Sequence, residues 1–214
     1  METVFLESIY TNSRLIKAIA RKRTKNQTES IYFILTDTKT DVGKMIQKVL
    51  NVDYNHISLS FEDNFNEVYG FGTNRDDNES GFIIERFDAG AYRDNDGEYL
   101  TLEMKITPSE KKKIKDNLQY YIENHKSFKF NKIGLVSNAI GVPFNPGDAF
   151  FCSQFIAKLF QDSGIKLFDK SYGLVRPSDF LYHPSMKVKH KGYIRKRLKY
   201  ESKNNIRKQA FFLK

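Results

Sequence analysis

DAFFCSQFIAKLFQDSG, residues 148–164, is the stretch on which the fold turns. Phe155, Ile156, Leu159 and Phe160 recur at helical spacing and Gly164 supplies a C-terminal stop, so the stretch predicts an amphipathic helix. Cys152, the single cysteine of the 214-residue chain, stands where that helix begins. A thiol at a helix N-terminus feels the positive end of the macrodipole, which favours thiolate and so nucleophilicity. A free cysteine is also commonly a small buried hydrophobe. A histidine far upstream shifts the balance between these readings.

That histidine is His56, in NHISLSF (residues 55–61). Ile57, Leu59 and Phe61 alternate with His56, Ser58 and Ser60, which predicts a strand with one apolar and one polar face. Residues 62–66 make a turn and EVYGFG (67–72) returns antiparallel. GFIIERF (81–87) and YLTLEMKI (99–106) read as further strands, and SIYFILT (30–36) as a central one. Residues 73–80 and 89–98 are polar loops. Between the first two strands, residues 42–50 form a short helix capped by Thr40 or Asp41. Thr107-Pro108-Ser109-Glu110 is a helix start with an N-cap threonine, proline at the first helical position and a capping-box glutamate. Its helix runs to about residue 124 with Ile114, Leu118, Tyr121 and Ile122 as the buried stripe. Residues 129–147 are irregular or short-helical, and a last strand falls near 188–194.

Composition sets the outer limits. The chain is 40% hydrophobic and 14% aromatic, enough for a substantial core and too much for global disorder. One cysteine excludes an intrachain disulfide framework, and no cluster has zinc-ligand spacing, so neither metal nor cofactor is expected. The free thiol fits a reducing compartment. No signal peptide or membrane-spanning run is read, so the expected location is cytoplasmic. The net charge of +9 is concentrated in residues 187–214, where eleven Lys or Arg face one acid, Glu201. Such a segment binds anionic membrane or nucleic acid, or simply keeps the chain solvated. The economical organisation is α+β: a basic helical extension over 1–30 ending in RKRTK, one domain over 31–194, and a basic tail over 195–214.

Cysteine hydrolysis needs a thiolate, an imidazole within hydrogen-bond reach and a third group that holds the ring. If the cysteine helix lies across the polar face of the His56 strand, thiol and imidazole meet at the helix N-terminus. The first-turn N–H groups there would stabilise an oxyanion. Among the other histidines, His125 and His190 are expected in solvent, and His183 is the rival base. Gly70 and Gly72 leave open the surface beside His56 for a helix or substrate.

The order NHISLSF, VYGFG, GFIIE, FCSQFIAKLF, RPSDF resembles the circularly permuted branch of the NlpC-type papain-like superfamily, which includes YiiX-like proteins and is related to lecithin:retinol acyltransferase. The likeness spans roughly residues 31–193. It implies a permuted papain-like antiparallel sheet packed against the cysteine-bearing helix, with Cys152 as nucleophile and His56 as general base. It also implies Tyr54, and with it Ser153, as oxyanion or substrate-binding residues. The orienting residue is left among Glu85, Asn74 and, if the turn shifts by one residue, Glu67. If Phe61 pairs with Glu67, then Glu67 shares a face with Ile57, not with His56. The expected activity is a cysteine peptidase or amidase, or a lipid acyl hydrolase or acyltransferase. The alternative is an inactive binding module that uses its basic ends.

Overall fold

The computed structural model describes residues 27–50, 52–73 and 80–212; the expected N-terminal helix, its RKRTK cluster and Asn74 lie outside the described residues. Within eight-residue β1 (Glu29–Thr36), residues 31–35 are a continuous apolar and aromatic run, as a strand covered on both faces requires. This strand is followed by α1 (Asp41–Leu50), β2 (His56–Ser60), β3 (Val68–Thr73), β4 (Ser80–Ile84) and a five-residue helix α2 (Gly90–Asp94) inside the expected polar loop. Then come β5 (Glu98–Ile106), α3 (Pro108–Glu123), the two-residue strand β6 (Lys129–Phe130), α4 (Lys132–Ala139), β7 (Ala149–Phe150) and α5 (Cys152–Asp162). The chain ends with α6 (Pro177–Leu181), β8 (Met186–Tyr193) and α7 (Ile194–Phe212). Six strands form one antiparallel sheet in the order β4-β3-β2-β1-β5-β8, with β1 inside it as its composition requires. The architecture is α+β.

Alternation along the strands sorts the side chains onto two faces. Phe33, Leu35, Ile57, Leu59 and Phe71 share the first face with Ile114 and Leu118 of α3 and Phe155, Ile156, Leu159 and Phe160 of α5. Phe71 and Phe155 rings lie 4.8 Å apart, and Phe33 and Phe160 5.7 Å. Burying each such side chain contributes about 1.5–3 kcal/mol, so this layer fixes where α5 sits. The second face carries Thr36, His56 and Ser58 beside a smaller core of Ile34, Phe65, Val68, Phe87, Tyr92, Tyr99 and Ile194.

The cysteine helix therefore does not lie across the face that carries His56; it lies on the opposite, apolar one. Its own stripe of Phe155, Ile156, Leu159 and Phe160 needs Ile57 and Leu59, not Ser58 and Ser60. Both helices against this layer end as their sequences direct. Thr107 and Glu110 form the capping box that opens α3. At the end of α5, Gly164 takes φ +74, and Ile165 and Gly164 donate to the Phe160 and Gln161 carbonyls at 2.9 and 3.0 Å. That is a Schellman stop with Ile165 packed on the core.

The strand register of β2 and β3 pairs Leu59 with Tyr69 and Ser60 with Val68, which continues to Phe61 opposite Glu67 and His56 opposite Gly72. Glu67 is thereby on the wrong face to orient His56. At the other end of the sheet, residues from 195 onward continue as helix α7. Its first turns are docked: Ile194 is fully buried, and Arg197 donates to Asp63 O at 2.8 Å and to Glu201 at 2.6 Å.

Candidate active site

His56 is the first residue of β2 and Cys152 the first of α5, so each stands at an end of its element. Both line one cavity at the end of the sheet, and the thiol is among the groups that raise the imidazole's pKa, although strand and helix present opposite faces. Nε2 of His56 meets Glu85 Oε1 in a very short contact and lies 3.1 Å from Ser58 Oγ. The chain of groups is Cys152, His56, Glu85.

Glu85 follows β4 directly, where its N–H donates to Val68 O at 2.7 Å. Its carboxylate is held by more than the imidazole. Ser58 Oγ donates to Oε1 at 2.5 Å, and Tyr92 OH donates to Oε2 at 3.2 Å. Tyr92 OH is also 3.0 Å from Thr36 Oγ1. The side chains of His56 and Glu85 are only 13% and 2% exposed. Burial opposes the charged ring, yet the Glu85 charge and the hydrogen bonds to Cys152 and Glu85 hold the imidazole well above its usual pKa. Burial likewise opposes the Glu85 carboxylate, and the facing imidazolium with its hydrogen bonds keeps it below the ordinary glutamate value. Burial, with the Glu85 charge, pushes the Tyr92 phenol well up, so it stays protonated and donates. The site holds an imidazolium between a buried carboxylate and the cysteine.

Of the two glycines beside it, Gly70 makes room for the carboxylate and Gly72 lines the cavity next to the ring. A Cβ on Gly70 would come within 2.5 Å of Glu85 Oε1 and 3.3 Å of Ser58 Oγ; one on Gly72 would meet His56 Cε1 at 3.7 Å. Gly70 is therefore the space that Glu85 occupies.

Above Cys152 opens a cavity of about 410 Å³. Its walls include Ile46, Ile83, Leu135, Phe151, Val175 and Pro177, with Asn55, Asn138 and Arg176 among the polar groups. The sulfur-bearing residue is 6% exposed and reaches solvent through this space. Gln154, wholly buried, organises the helix start. Its Oε1 accepts from Phe151 N at 3.2 Å and Asn131 Nδ2 at 3.0 Å, and its Nε2 donates to Phe144 O at 2.9 Å. With the Phe151 N–H taken, the first-turn N–H groups of Cys152 and Ser153 are the donors beside the sulfur.

Two expected residues are placed otherwise. The Ser153 hydroxyl is committed to Val175 O at 2.7 Å, so only its backbone N–H is available. Tyr54 precedes β2, is buried in the large core and does not line the cavity; burial, with the charges of Glu98, Asp53 and Asp37, pushes its phenol pKa up. The rival base His183 bonds Leu167 O at 2.9 Å outside the cavity. His125 is exposed, but His190 is not free in solvent: it meets Asp63 at 2.9 Å. The RPSDF segment proves to be a brace. Arg176 Nε and an η-nitrogen donate to Asn138 Oδ1 and O at 2.9 and 2.8 Å, tying α4 to the cavity wall. Among the described residues no group of three or more His, Cys, Asp or Glu is arranged to hold a metal ion. No family model matches the chain, and no curated protein or solved structure matches it significantly.

Proposed function

We propose that the protein is a cysteine hydrolase or acyltransferase of the circularly permuted papain-like kind. The observation that carries this reading is the Cys152–His56–Glu85 chain at the floor of a cavity, with helix N–H groups beside the sulfur. The strand bearing the histidine precedes the helix bearing the cysteine, the order of the permuted branch that the sequence resembles.

The substrate is a carboxylic ester, thioester or amide. Cys152 Sγ, as thiolate, attacks the carbonyl carbon, and the oxyanion is met by the N–H groups of Cys152 and Ser153. His56, already an imidazolium, delivers its proton to the departing alcohol, thiol or amine as the carbonyl–heteroatom bond breaks. The product is an S-acyl Cys152. Water, or an acceptor nucleophile in the transferase case, then loses its proton to neutral His56 while attacking the thioester. The Sγ–acyl bond breaks and the thiolate–imidazolium pair is restored. Glu85 keeps the ring aligned throughout and favours its charged form at the start and the end of the cycle.

Iodoacetamide labelling at near-neutral pH tests the pair directly. Cys152 should alkylate faster than an ordinary thiol, and His56→Ala should lower its rate by about 100-fold, the lower bound of what a positioned acid–base group contributes. A rate independent of His56 would overturn the proposal.

A further inference from the structure

Helix α4 has two unlike sides. Its inner side carries Leu135 and Asn138 to the cavity wall. On the outer side Ile133, Val136 and Ile140, spaced as one helical stripe, are 67%, 67% and 73% exposed. The chain then turns at Gly141, φ +76, and runs back along the helix. Val142 N donates to Ser137 O at 3.0 Å, and Phe144 O accepts from Asn131 Nδ2 at 3.3 Å, at the opposite end of α4. Val142 and Phe144, both exposed, thereby extend the stripe sideways. Five large apolar side chains on one element exceed the scattered exposure that a surface ordinarily shows.

The charge around the stripe identifies what covers it. From residue 124 to residue 147 the sequence contains no acid, and Lys126, Lys129 and Lys132 border the stripe in solvent. Neither end of the chain complements such a border. Residues 1–26 hold six Lys or Arg against two acids, and residues 187–214 eleven against one. A second copy would bring like charges together. Apolar residues rimmed by lysines match a surface with an acyl interior and anionic headgroups. Among the described residues no helix is long and apolar enough to cross a membrane, so the contact is peripheral.

We propose that the outer face of α4 with the 141–144 strap docks on an anionic lipid bilayer. The surface is separate from the basic C-terminal residues, and it goes beyond the hydrolase reading, because docking does not depend on Cys152 chemistry.

The test is co-sedimentation of the full chain with phosphatidylcholine vesicles, with and without phosphatidylglycerol. Binding is expected to the mixed vesicles, weaker to phosphatidylcholine alone, and reduced by salt that shortens the screening length from about 8 Å at physiological strength. Ile133→Glu with Ile140→Glu should weaken binding by at least about 100-fold, since two side chains lose their burial. Unchanged circular dichroism and melting would show that this variant is folded; Lys129→Glu with Lys132→Glu, which touches no apolar residue, should weaken binding to mixed vesicles selectively. Wild-type binding that survives both variants would place the contact on the basic C-terminal residues and overturn the proposal. So would absence of vesicle binding by the wild type, or a dimer that the isoleucine variant dissolves. Loss of fast Cys152 alkylation on His56→Ala reports on the hydrolase alone, so the two proposals fail separately.

Discussion

Glu85 decides the charge state of the site. Its buried carboxylate faces an imidazole whose pKa it raises, so replacing it by a neutral isostere removes the largest influence that favours the charged ring. Glu85→Gln should therefore move the fall in His56 protonation to lower pH, towards the ordinary histidine range. Measured as the pH profile of Cys152 alkylation, the His56-dependent limb should shift downward; an unmoved limb would assign the ring's charge to another group. Gly70 acts through the same carboxylate. Gly70→Ala places a methyl where Glu85 Oε1 lies, and should cost about 1–3 kcal/mol in thermal or urea unfolding together with a downward shift of the same limb. His56 and Cys152 were legible because strand alternation and a helix start are local signals. Ser58 and Tyr92 were not marked as partners of Glu85. Their bonds to it close over 27 and 7 residues, and Tyr92 stood within a stretch that reads as a polar loop.

Elements meet at their ends here, and that arrangement inverts the simplest reading of the sheet. A helix with four large apolar residues in its stripe packs on the apolar face of β2, so the histidine and cysteine approach only because each is the first residue of its element. The position of the α5 N-terminus is then as important as its composition. Gln154 sets it, through bonds to Phe151 N, Asn131 and Phe144 O, and nothing in the helical periodicity marks a glutamine at that place as structural. Gln154→Ala leaves the buried Phe151 N–H without its acceptor, at about 1–3 kcal/mol, and leaves Asn131 Nδ2 and Phe144 O with only their bond to each other. The expected outcome is a lower melting temperature and slower alkylation of Cys152, although the substituted residue touches neither Cys152 nor His56. Normal reactivity in a folded variant would mean that the apolar packing of Phe155 and Phe160 alone places the helix start.

The same buried pair reaches the whole molecule through pH. The α+β class and the inner position of β1 were legible from alternation and from its central apolar run, whereas the strand order was not, and the docking of Arg197 and Ile194 was hidden in a segment whose composition reads as a solvated tail. Ile194 shares its cluster with Tyr92, which bonds Glu85, so the second core stands directly behind the ionic pair. His56 has a raised pKa when folded, so its contribution to stability is complete below the unfolded histidine value of about 6.5 and fades as pH climbs through the raised value. Glu85 has a lowered pKa, so its contribution is complete above the unfolded glutamate value of about 4.3 and fades as pH falls through the lowered one. Together they define a plateau between roughly pH 4.3 and 6.5, with declining support on either side. Urea unfolding of wild type and Glu85→Gln across pH should therefore differ most on that plateau, by on the order of 3 kcal/mol for a broken buried pair. The difference should shrink in alkali, once the wild-type imidazole is neutral, and in acid, once its carboxylate is protonated. A difference that stays constant across pH would show that Glu85 contributes by packing and neutral hydrogen bonds, and that no ionic pair forms behind the cysteine.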